Sequence, residues 1–266
     1  MNTALALRND LAGDTLAPPV HPASSASRVM RRTLLGLLVL CTGTFSSPAQ
    51  QRSIAPRAQP GNPYEPVVEV PGLPRVLLIG DSISEGYTLP VRKLLQGRAN
   101  VYRIPQNGGP TKLGIENIEK WLGVGKWDVI HFNWGLHDLM FFPDPKAEPA
   151  QHEQDQLDLY ERNLRVLVAR LKQTRAKLIW ATSTPVPDQM SSPRSPPNRS
   201  GMVKRYNEAA ARVMQEYNVP VNDLNAHVAP VVAKLQRAHD VHFGLEGSEF
   251  LAKQVAAEIA KSLPGK

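Results

Sequence analysis

The sequence has little cysteine, no glycine-rich phosphate-binding pattern and no apolar run of membrane-spanning length. Cys41 is the single cysteine, so it has no disulfide partner within the chain, and no spacing of Cys and His matches a zinc site. Walker patterns and dinucleotide fingerprints are absent. The apolar segment 33–45 is too short for a stable membrane span. We therefore expect no metal, no cofactor and no stable membrane span in the mature protein.

Acidic residues are outnumbered, with 24 Asp and Glu against 31 Lys and Arg, which gives a net charge of +7. The basic residues are scattered, as is typical of a solvated surface, and this charge favours proximity to anionic polymers or cell walls. No recognised nucleic-acid-binding module accompanies the charge, so we expect no nucleic-acid partner.

The N-terminal region has the organisation of an export signal. The Arg31-Arg32 pair precedes the apolar segment, and residues 47–49 supply small side chains where a signal peptidase reads. This pattern predicts a periplasmic or extracellular protein whose signal peptide starts at Met30. The arginine pair also partly resembles a twin-arginine signal, and Cys41 is a candidate lipidation site. A membrane-anchored form is the alternative to export in free form.

The composition divides the chain into three segments. We expect an N-terminal extension with the signal peptide at 1–49, a proline-rich linker or surface strap at 50–74, and one catalytic-sized domain at 75–266. In the last segment, short apolar runs alternate with stretches of helical periodicity, which predicts an α/β fold with a parallel sheet covered on both faces. The predicted strands are Val76–Ile79, Ala99–Ile104, Trp127–Trp134, Lys177–Ser183 and Val219–Asn222. The predicted helices are Thr88–Leu95, Lys112–Leu122, Gln154–Thr174, Met202–Tyr217 and Leu245–Leu263, and Val228–Ala238 is predicted as a helix or part-helix.

The first strand runs directly into Gly80-Asp81-Ser82. Gly80 permits a sharp turn, and Asp81 or Ser82 can cap the helix that follows. A serine there lies beside free backbone N–H groups at a helix N-terminus, where developing negative charge is stabilised. Ser82 is therefore a candidate nucleophile, and the alternative is that it only caps the helix.

Polar loops also follow the second and third predicted strands, and the cluster His239-Asp240-Val241-His242 precedes the last helix. Parallel connectivity brings the strand ends to one edge of the sheet. Ser82, His242 and a carboxylate can meet there despite their separation in sequence, because catalytic triads are defined by geometry.

Four blocks in this order resemble the SGNH (GDSL) hydrolase family over about Val76 to Leu263. They are Gly80-Asp81-Ser82-Ile83, Asn107-Gly108-Gly109-Pro110-Thr111, Gly135-Leu136-His137-Asp138 and Asp240-Val241-His242-Phe243 followed by Glu246-Gly247. The resemblance implies a three-layer α/β/α fold with a flavodoxin-like, five-stranded parallel sheet. It also implies a serine esterase that hydrolyses carboxylic esters without a cofactor.

The same resemblance implies roles for individual residues. Ser82 takes the position of the nucleophile and His242 that of the general base. The backbone N–H groups of Ser82 and Gly109 take the positions of oxyanion-hole donors. Asp81 and Asp138 are implied as supporting residues.

Two positions depart from the family pattern. His137 stands where the family has the oxyanion-hole asparagine, and it either donates a ring N–H to the oxyanion or braces the loop through Asp138. His239 stands where the family has the aspartate three residues before the catalytic histidine, so Asp240 becomes the candidate that orients the His242 ring. Asp223 and a backbone carbonyl are the alternatives for that role.

The expected substrate is an O-acetyl group on a carbohydrate or another small ester. Lipid esters, lysophospholipids and thioesters are alternatives within the family, and a non-catalytic carbohydrate- or envelope-binding protein is an alternative outside catalysis. Trp134 and the run 140–142 lie beside the third block. We expect them either to line the substrate site or to pack in the core.

Overall fold

Five parallel strands form one sheet in the order β2-β1-β3-β4-β5. This computed structural model describes residues 61–139, 149–189 and 199–264. The strands are β1 (Arg75–Ile79), β2 (Asn100–Arg103), β3 (Val129–Phe132), β4 (Lys177–Ala181) and β5 (Val221–Asn222). The order matches the doubly wound, flavodoxin-like arrangement, in which ligands bind beyond the carboxyl ends of the strands. The predicted fold class is confirmed.

Helices cover both faces of the sheet. They are α1 (Ser82–Leu94), α2 (Thr111–Leu122), α3 (Leu136–Leu139), α4 (Pro149–Gln173), α5 (Arg199–Glu216), α6 (Leu224–Val228), α7 (Val232–Leu235) and α8 (Leu245–Ser262). Helices α1 and α8 pack together on one face, whereas α2, α4 and α5 pack in succession on the other. None of the helices in the described ranges has the length and apolar character needed to cross a membrane.

The core follows from the sequence pattern. Strand β3 is buried at every position, as expected for a central strand covered on both faces. In α4, the buried side chains recur at helical spacing and face the sheet. They include Leu157, Tyr160, Leu164, Val168 and Leu171.

Helix α1 begins at Ser82, six residues before the predicted start at Thr88. The sequence obscures this start because Gly86 and Pro90 both lie inside the helix and disfavour it. Tertiary packing overrides that preference. A Cβ on Gly86 would lie 2.8 Å from Ser248 Oγ, so the glycine lets α1 approach α8 closely. The early start places Ser82 at the N-terminus of a helix.

The segment Val228–Ala238, predicted as a helix or part-helix, is only partly helical and is divided into shorter pieces. Helix α6 is followed by a 3₁₀ turn at Ala229–Val231 and then by α7. Pro230 lies in the turn and has no N–H to continue the backbone ladder. Strand β5 is also shorter than predicted, at two residues.

Residues 61–74 contact both α1 and β2, and we call this segment the strap. The Asn100 side chain donates to Val70 O and accepts the Val70 N–H, each at 2.9 Å. Arg92 Nη1 donates to Glu65 O at 3.2 Å. These contacts fix the strap beside the edge strand of the sheet.

Candidate active site

The turn after β1 places Ser82 at the carboxyl edge of the sheet. The Asp81 side chain caps α1, since its Oδ1 accepts the Ile83 N–H at 3.0 Å. Ser82 therefore does not act as the cap, and its hydroxyl Oγ lies 2.8 Å from His242 Nε2. Of the two readings of Ser82, this geometry supports a nucleophile.

The Arg103 side chain, at the end of β2, forms hydrogen bonds to this turn. Its buried guanidinium donates to Gly80 O at 2.9 Å, to Asp81 O at 3.2 Å and to Ser84 Oγ at 2.5 Å. Charged groups are rarely fully buried unless they are paired, and the Glu85 carboxylate, 3.6 Å from Arg103 Nη2, adds an opposite charge to these hydrogen-bond acceptors. Our sequence reasoning missed Arg103, and the available signal was a charged residue inside the predicted strand Ala99–Ile104.

His242 lies on a tight loop between α7 and α8. The Arg237 N–H donates to His242 O at 2.9 Å, and the Asp240 N–H donates to Arg237 O at 3.2 Å. Gln236 Nε2 donates to Pro185 O at 2.7 Å, which ties the loop to the segment after β4. His239 adopts a φ of 56°, a left-handed conformation that allows the chain to reverse.

The reversal brings Asp240 to the His242 ring. Asp240 Oδ1 lies 2.6 Å from His242 Nδ1 and also accepts the His242 backbone N–H at 3.1 Å. Burial acts to raise the Asp240 pKa, but the hydrogen bonds from His242 and the positive charges of His242 and Arg237 outweigh it and lower the pKa. An ionised carboxylate at Nδ1 favours the tautomer whose Nε2 accepts a proton from Ser82.

The other carboxylate considered for orienting His242, Asp223, has different partners. Asp223 caps α6 by accepting the Ala226 N–H at 3.0 Å, and it accepts the Thr182 hydroxyl at 2.9 Å. His239 occupies the position where the family has its aspartate, and its Nδ1 lies 3.2 Å from Gln189 O. The geometry thus joins Asp240, rather than Asp223, to the imidazole.

The glycine block packs against the nucleophile turn. The Gly108 N–H donates to Gly80 O at 2.9 Å. Gly109 has a φ of 54°, and its N–H donates to Asn107 Oδ1 at 2.9 Å. The expected oxyanion-hole donor is therefore beside the turn and is already paired with a side chain, a pairing that the sequence reasoning did not include.

His137 and Asp138 follow β3 in helix α3. Asp138 is buried and accepts the backbone N–H and the hydroxyl of Thr111, at 3.0 and 2.6 Å from its Oδ1. The third block is therefore braced to the glycine block through Asp138 and Thr111. Burial raises the pKa of Asp81, whereas its interactions with His137 and Arg103 act to lower it.

Four polar segments from separate parts of the chain thus meet at one edge of the sheet. A family model for the GDSL-like lipase/acylhydrolase family matches residues 78–250, which include Ser82, Gly109, His137 and His242. The chain belongs to this family. Membership makes the protein a carboxylic ester hydrolase, as the sequence predicted.

Solved structures of other hydrolases share the fold. An acetyl xylan esterase, AlAXEase, has a TM-score of 0.56 at 16% identity and covers 70% of this chain and 99% of its own. A lipase/acylhydrolase from Enterococcus faecalis has a TM-score of 0.56 at 22% identity, with coverage of 73% and 99%. Axe2, an acetylxylan esterase from Geobacillus stearothermophilus, has a TM-score of 0.53 at 20% identity, with coverage of 70% and 94%. A comparison with curated protein sequences finds no match.

Several other residues of this hydrolase belong to the core. Trp134 is 1% exposed and packs against Phe132, so it is not a substrate-lining residue. His131 is fully buried, and burial lowers its pKa to about 3, which keeps it neutral. The run 140–142 lies outside the described residues. Within the described ranges, no three His, Cys, Asp or Glu side chains cluster closely enough to hold a metal ion.

Asp138 should make the stability of the hydrolase depend on pH. Burial raises its pKa to about 7, although the Thr111 hydrogen bonds act in the opposite direction. Between its ordinary pKa of 3.8 and about 7, the folded protein holds a proton that the unfolded chain releases, so the free energy of unfolding falls as pH rises. We expect the Asp138→Asn variant to show a smaller decline than the wild type when urea unfolding is compared at pH 5 and pH 7.5. Asp155→Asn, at an exposed carboxylate, should retain the wild-type decline.

Gly108 should tolerate no side chain. A Cβ there would lie 2.8 Å from Gly80 O and 3.0 Å from the Gly80 carbonyl carbon, and both are backbone atoms at the nucleophile turn. We expect Gly108→Ala to lower the free energy of unfolding by about 1–3 kcal/mol, because the turn has to shift. Gly244→Ala, where an added Cβ meets no atom within 4 Å, is the matched control. Equal urea midpoints for the two variants would contradict the expectation.

Proposed function

We propose that this hydrolase is an exported serine esterase that removes O-acetyl groups from a carbohydrate. The observation that carries the catalytic part is the continuous contact from Asp240 through His242 to Ser82, with separations of 2.6 and 2.8 Å. An ionised acid, an imidazole and a hydroxyl in this order form the arrangement that activates a serine for acyl transfer.

In the proposed mechanism, His242 Nε2 takes the Ser82 proton as Oγ attacks the ester carbonyl carbon. The Asp240 carboxylate stabilises the imidazolium that forms. His242 then returns the proton to the departing alcohol, and an acyl-enzyme remains on Ser82. Water attacks the acyl carbonyl with His242 again as the base, which releases the acid and restores the serine.

The proposed oxyanion hole has three donors. The Ser82 N–H lies in the first turn of α1, where backbone donors lack partners within the helix. The Gly109 N–H and a ring N–H of His137 complete the set, and Asp81 and Asp138 support the segments that carry them. Donors placed in advance at the developing negative charge supply a large part of catalysis in acyl transfer.

The choice of an acetylated saccharide as substrate rests on the similar solved structures. Two of the similar structures are acetylxylan esterases, which supports an acetylated saccharide as substrate. The lipase/acylhydrolase among them keeps lipid esters and thioesters as the alternative substrate class.

The proposal of export rests on the N-terminal sequence. Residues 1–49 carry the signal pattern that starts at Met30, 50–74 link it to the catalytic domain, and 75–266 form that domain. Sequencing the N-terminus of the exported protein would test this division. A mature chain that retains residues 31–45 would indicate a membrane-anchored form instead.

The substrate class is tested with a series of p-nitrophenyl esters from acetyl to palmitoyl and with acetylated xylo-oligosaccharides. We expect kcat/KM to be highest for acetyl, to fall at least about tenfold by octanoyl, and to be accompanied by acetate release from the saccharide. A maximum of kcat/KM at long acyl chains would instead favour a lipid-type esterase. Faster turnover of acetyl-CoA than of both ester sets would favour a thioesterase.

A further inference from the structure

A line of polar contacts runs from the strap to the glycine block. Tyr64 Oη donates to Glu85 Oε1 at 2.5 Å, and Asn107 Nδ2 donates to the same oxygen at 2.8 Å. Asn107 Oδ1 accepts the Gly109 N–H at 2.9 Å. Arg103 Nη2 lies 3.6 Å from Glu85 Oε1, and the Arg103 guanidinium carbon lies 5.3 Å from the centre of the Tyr64 ring. The mechanism above uses none of Tyr64, Glu85 and Asn107.

The hydrogen bond at Gly109 bears directly on catalysis. A backbone amide has one hydrogen, so the Gly109 N–H cannot serve Asn107 and an oxyanion with full strength at the same time. Gly109 is buried, and a buried amide without a partner destabilises the protein. Asn107 Oδ1 therefore satisfies the amide in the free enzyme, and the oxyanion has to replace it.

The other end of the Asn107 side chain is held by Glu85. Glu85 lies one helical turn after Ser82 on α1, so its position is fixed relative to the nucleophile. Tyr64 and Arg103 hold Glu85 in turn, one from the strap and one from β2. The position of Asn107 Oδ1 thus depends on contacts that extend outside the four sequence blocks.

We propose that Asn107 is a positioning residue that controls how readily the Gly109 amide reaches the oxyanion, and that Glu85 and Tyr64 hold it in place. During attack, the Gly109 N–H exchanges Asn107 Oδ1 for the carbonyl oxygen as that oxygen becomes negative. Asn107 Nδ2 remains on Glu85, so the side chain does not follow the amide. This inference rests on the proposed role of Gly109 as an oxyanion donor, and it makes the strap a part of the active site.

The decisive variant is Asn107→Asp. A carboxylate keeps the size and the acceptor and binds the Gly109 N–H more strongly because it is charged, and it replaces the donor to Glu85 Oε1 with a like-charge contact. We expect kcat on p-nitrophenyl acetate to fall about 100-fold with KM changed less than about threefold, because the loss falls on the oxyanion. The ratio of wild-type kcat to variant kcat should become smaller at low pH, where the introduced carboxyl group is protonated. Tyr64→Phe, which removes one hydroxyl, should lower kcat about three- to tenfold.

Tyr102→Phe is the matched control, since it also removes a phenol, on β2 at a site away from the nucleophile turn where the ring packs against Trp127. Its kcat should stay within twofold of wild type. Affinity for a trifluoromethyl ketone, which mimics the tetrahedral intermediate, should weaken in parallel with kcat/KM for Asn107→Asp and Tyr64→Phe and remain unchanged for Tyr102→Phe. A merely structural role would not produce this parallel.

Several results would overturn the inference. They are an Asn107→Asp enzyme within twofold of wild type in kcat, a loss confined to KM, or equal losses in Tyr64→Phe and Tyr102→Phe. If Asn107→Asp does not fold, as judged by circular dichroism, the comparison of the two tyrosine variants decides. If the wild type is active and the variants keep its kcat, only this inference is refuted. If the wild type has no esterase activity, the proposed function is refuted as well.

Discussion

Replacing Ser82 with alanine is expected to lower kcat for p-nitrophenyl acetate by about 10⁴- to 10⁶-fold. The hydroxyl that lies 2.8 Å from His242 Nε2 is the proposed site of the acyl-enzyme, and alanine offers no atom that can attack. Residual turnover would come from the oxyanion donors and substrate binding alone. The wild-type enzyme should react with a fluorophosphonate probe, and the Ser82→Ala variant should not.

Ser248→Ala provides a control for the loss of a buried hydroxyl, because Ser248 lies on α8 where that helix meets α1 at Gly86. Its kcat should remain within about threefold of wild type. Ser82→Ala turnover within tenfold of wild type would contradict the nucleophile assignment. A wild type that neither hydrolyses esters nor reacts with the probe would instead favour a non-catalytic carbohydrate- or envelope-binding protein.

Replacing Asp240 with asparagine is expected to lower kcat by about 10²- to 10⁴-fold with little change in KM. An amide cannot stabilise the imidazolium as a carboxylate does, and it can hold the His242 ring in the wrong tautomer. Asp223→Asn is the matched control, since it changes the same functional group on the competing candidate. Steady-state kinetics of both variants on p-nitrophenyl acetate are the measurement.

The two aspartates distinguish three arrangements. A large loss in Asp240→Asn alone supports the Ser82–His242–Asp240 geometry. A larger loss in Asp223→Asn would indicate that Asp223 reaches the imidazole in the working enzyme. Asp240→Asn activity within about threefold of wild type would indicate a Ser–His pair oriented by the backbone.

The sequence predicted the fold class because its signals are local. The strands β1, β3 and β4 are short, largely apolar runs followed by glycine or a polar residue, and their alternation with stretches of helical periodicity predicts a parallel α/β sheet. Helix boundaries were less predictable. The start of α1 at Ser82 was missed because Gly86 and Pro90 weaken the helical pattern, and the packing of Gly86 on α8 is not visible in the sequence.

The candidate site was also predictable only in part. Ser82, Gly109, His137 and His242 could be found because each lies in a short recognisable block at a strand end or before a helix. The partners that hold them could not be found this way. Arg103 reaches Gly80 across 23 positions, and Asn107 meets Glu85 across 22, so only the folded chain brings them together. The spacing of Asn107 and Gly109 is compatible with a side-chain turn, which was the one local signal available.

The close packing of Gly86 against Ser248 affects how the enzyme should lose activity on heating. Ser82 opens one of the two helices that meet there, and His242 lies three residues before the other. A displacement of one helix against its neighbour by a fraction of an ångström changes the separation of the hydroxyl and the imidazole while leaving the sheet intact. Catalytic inactivation should therefore precede loss of secondary structure, and enzyme turnover should report the condition of this helix pair more sensitively than circular dichroism does.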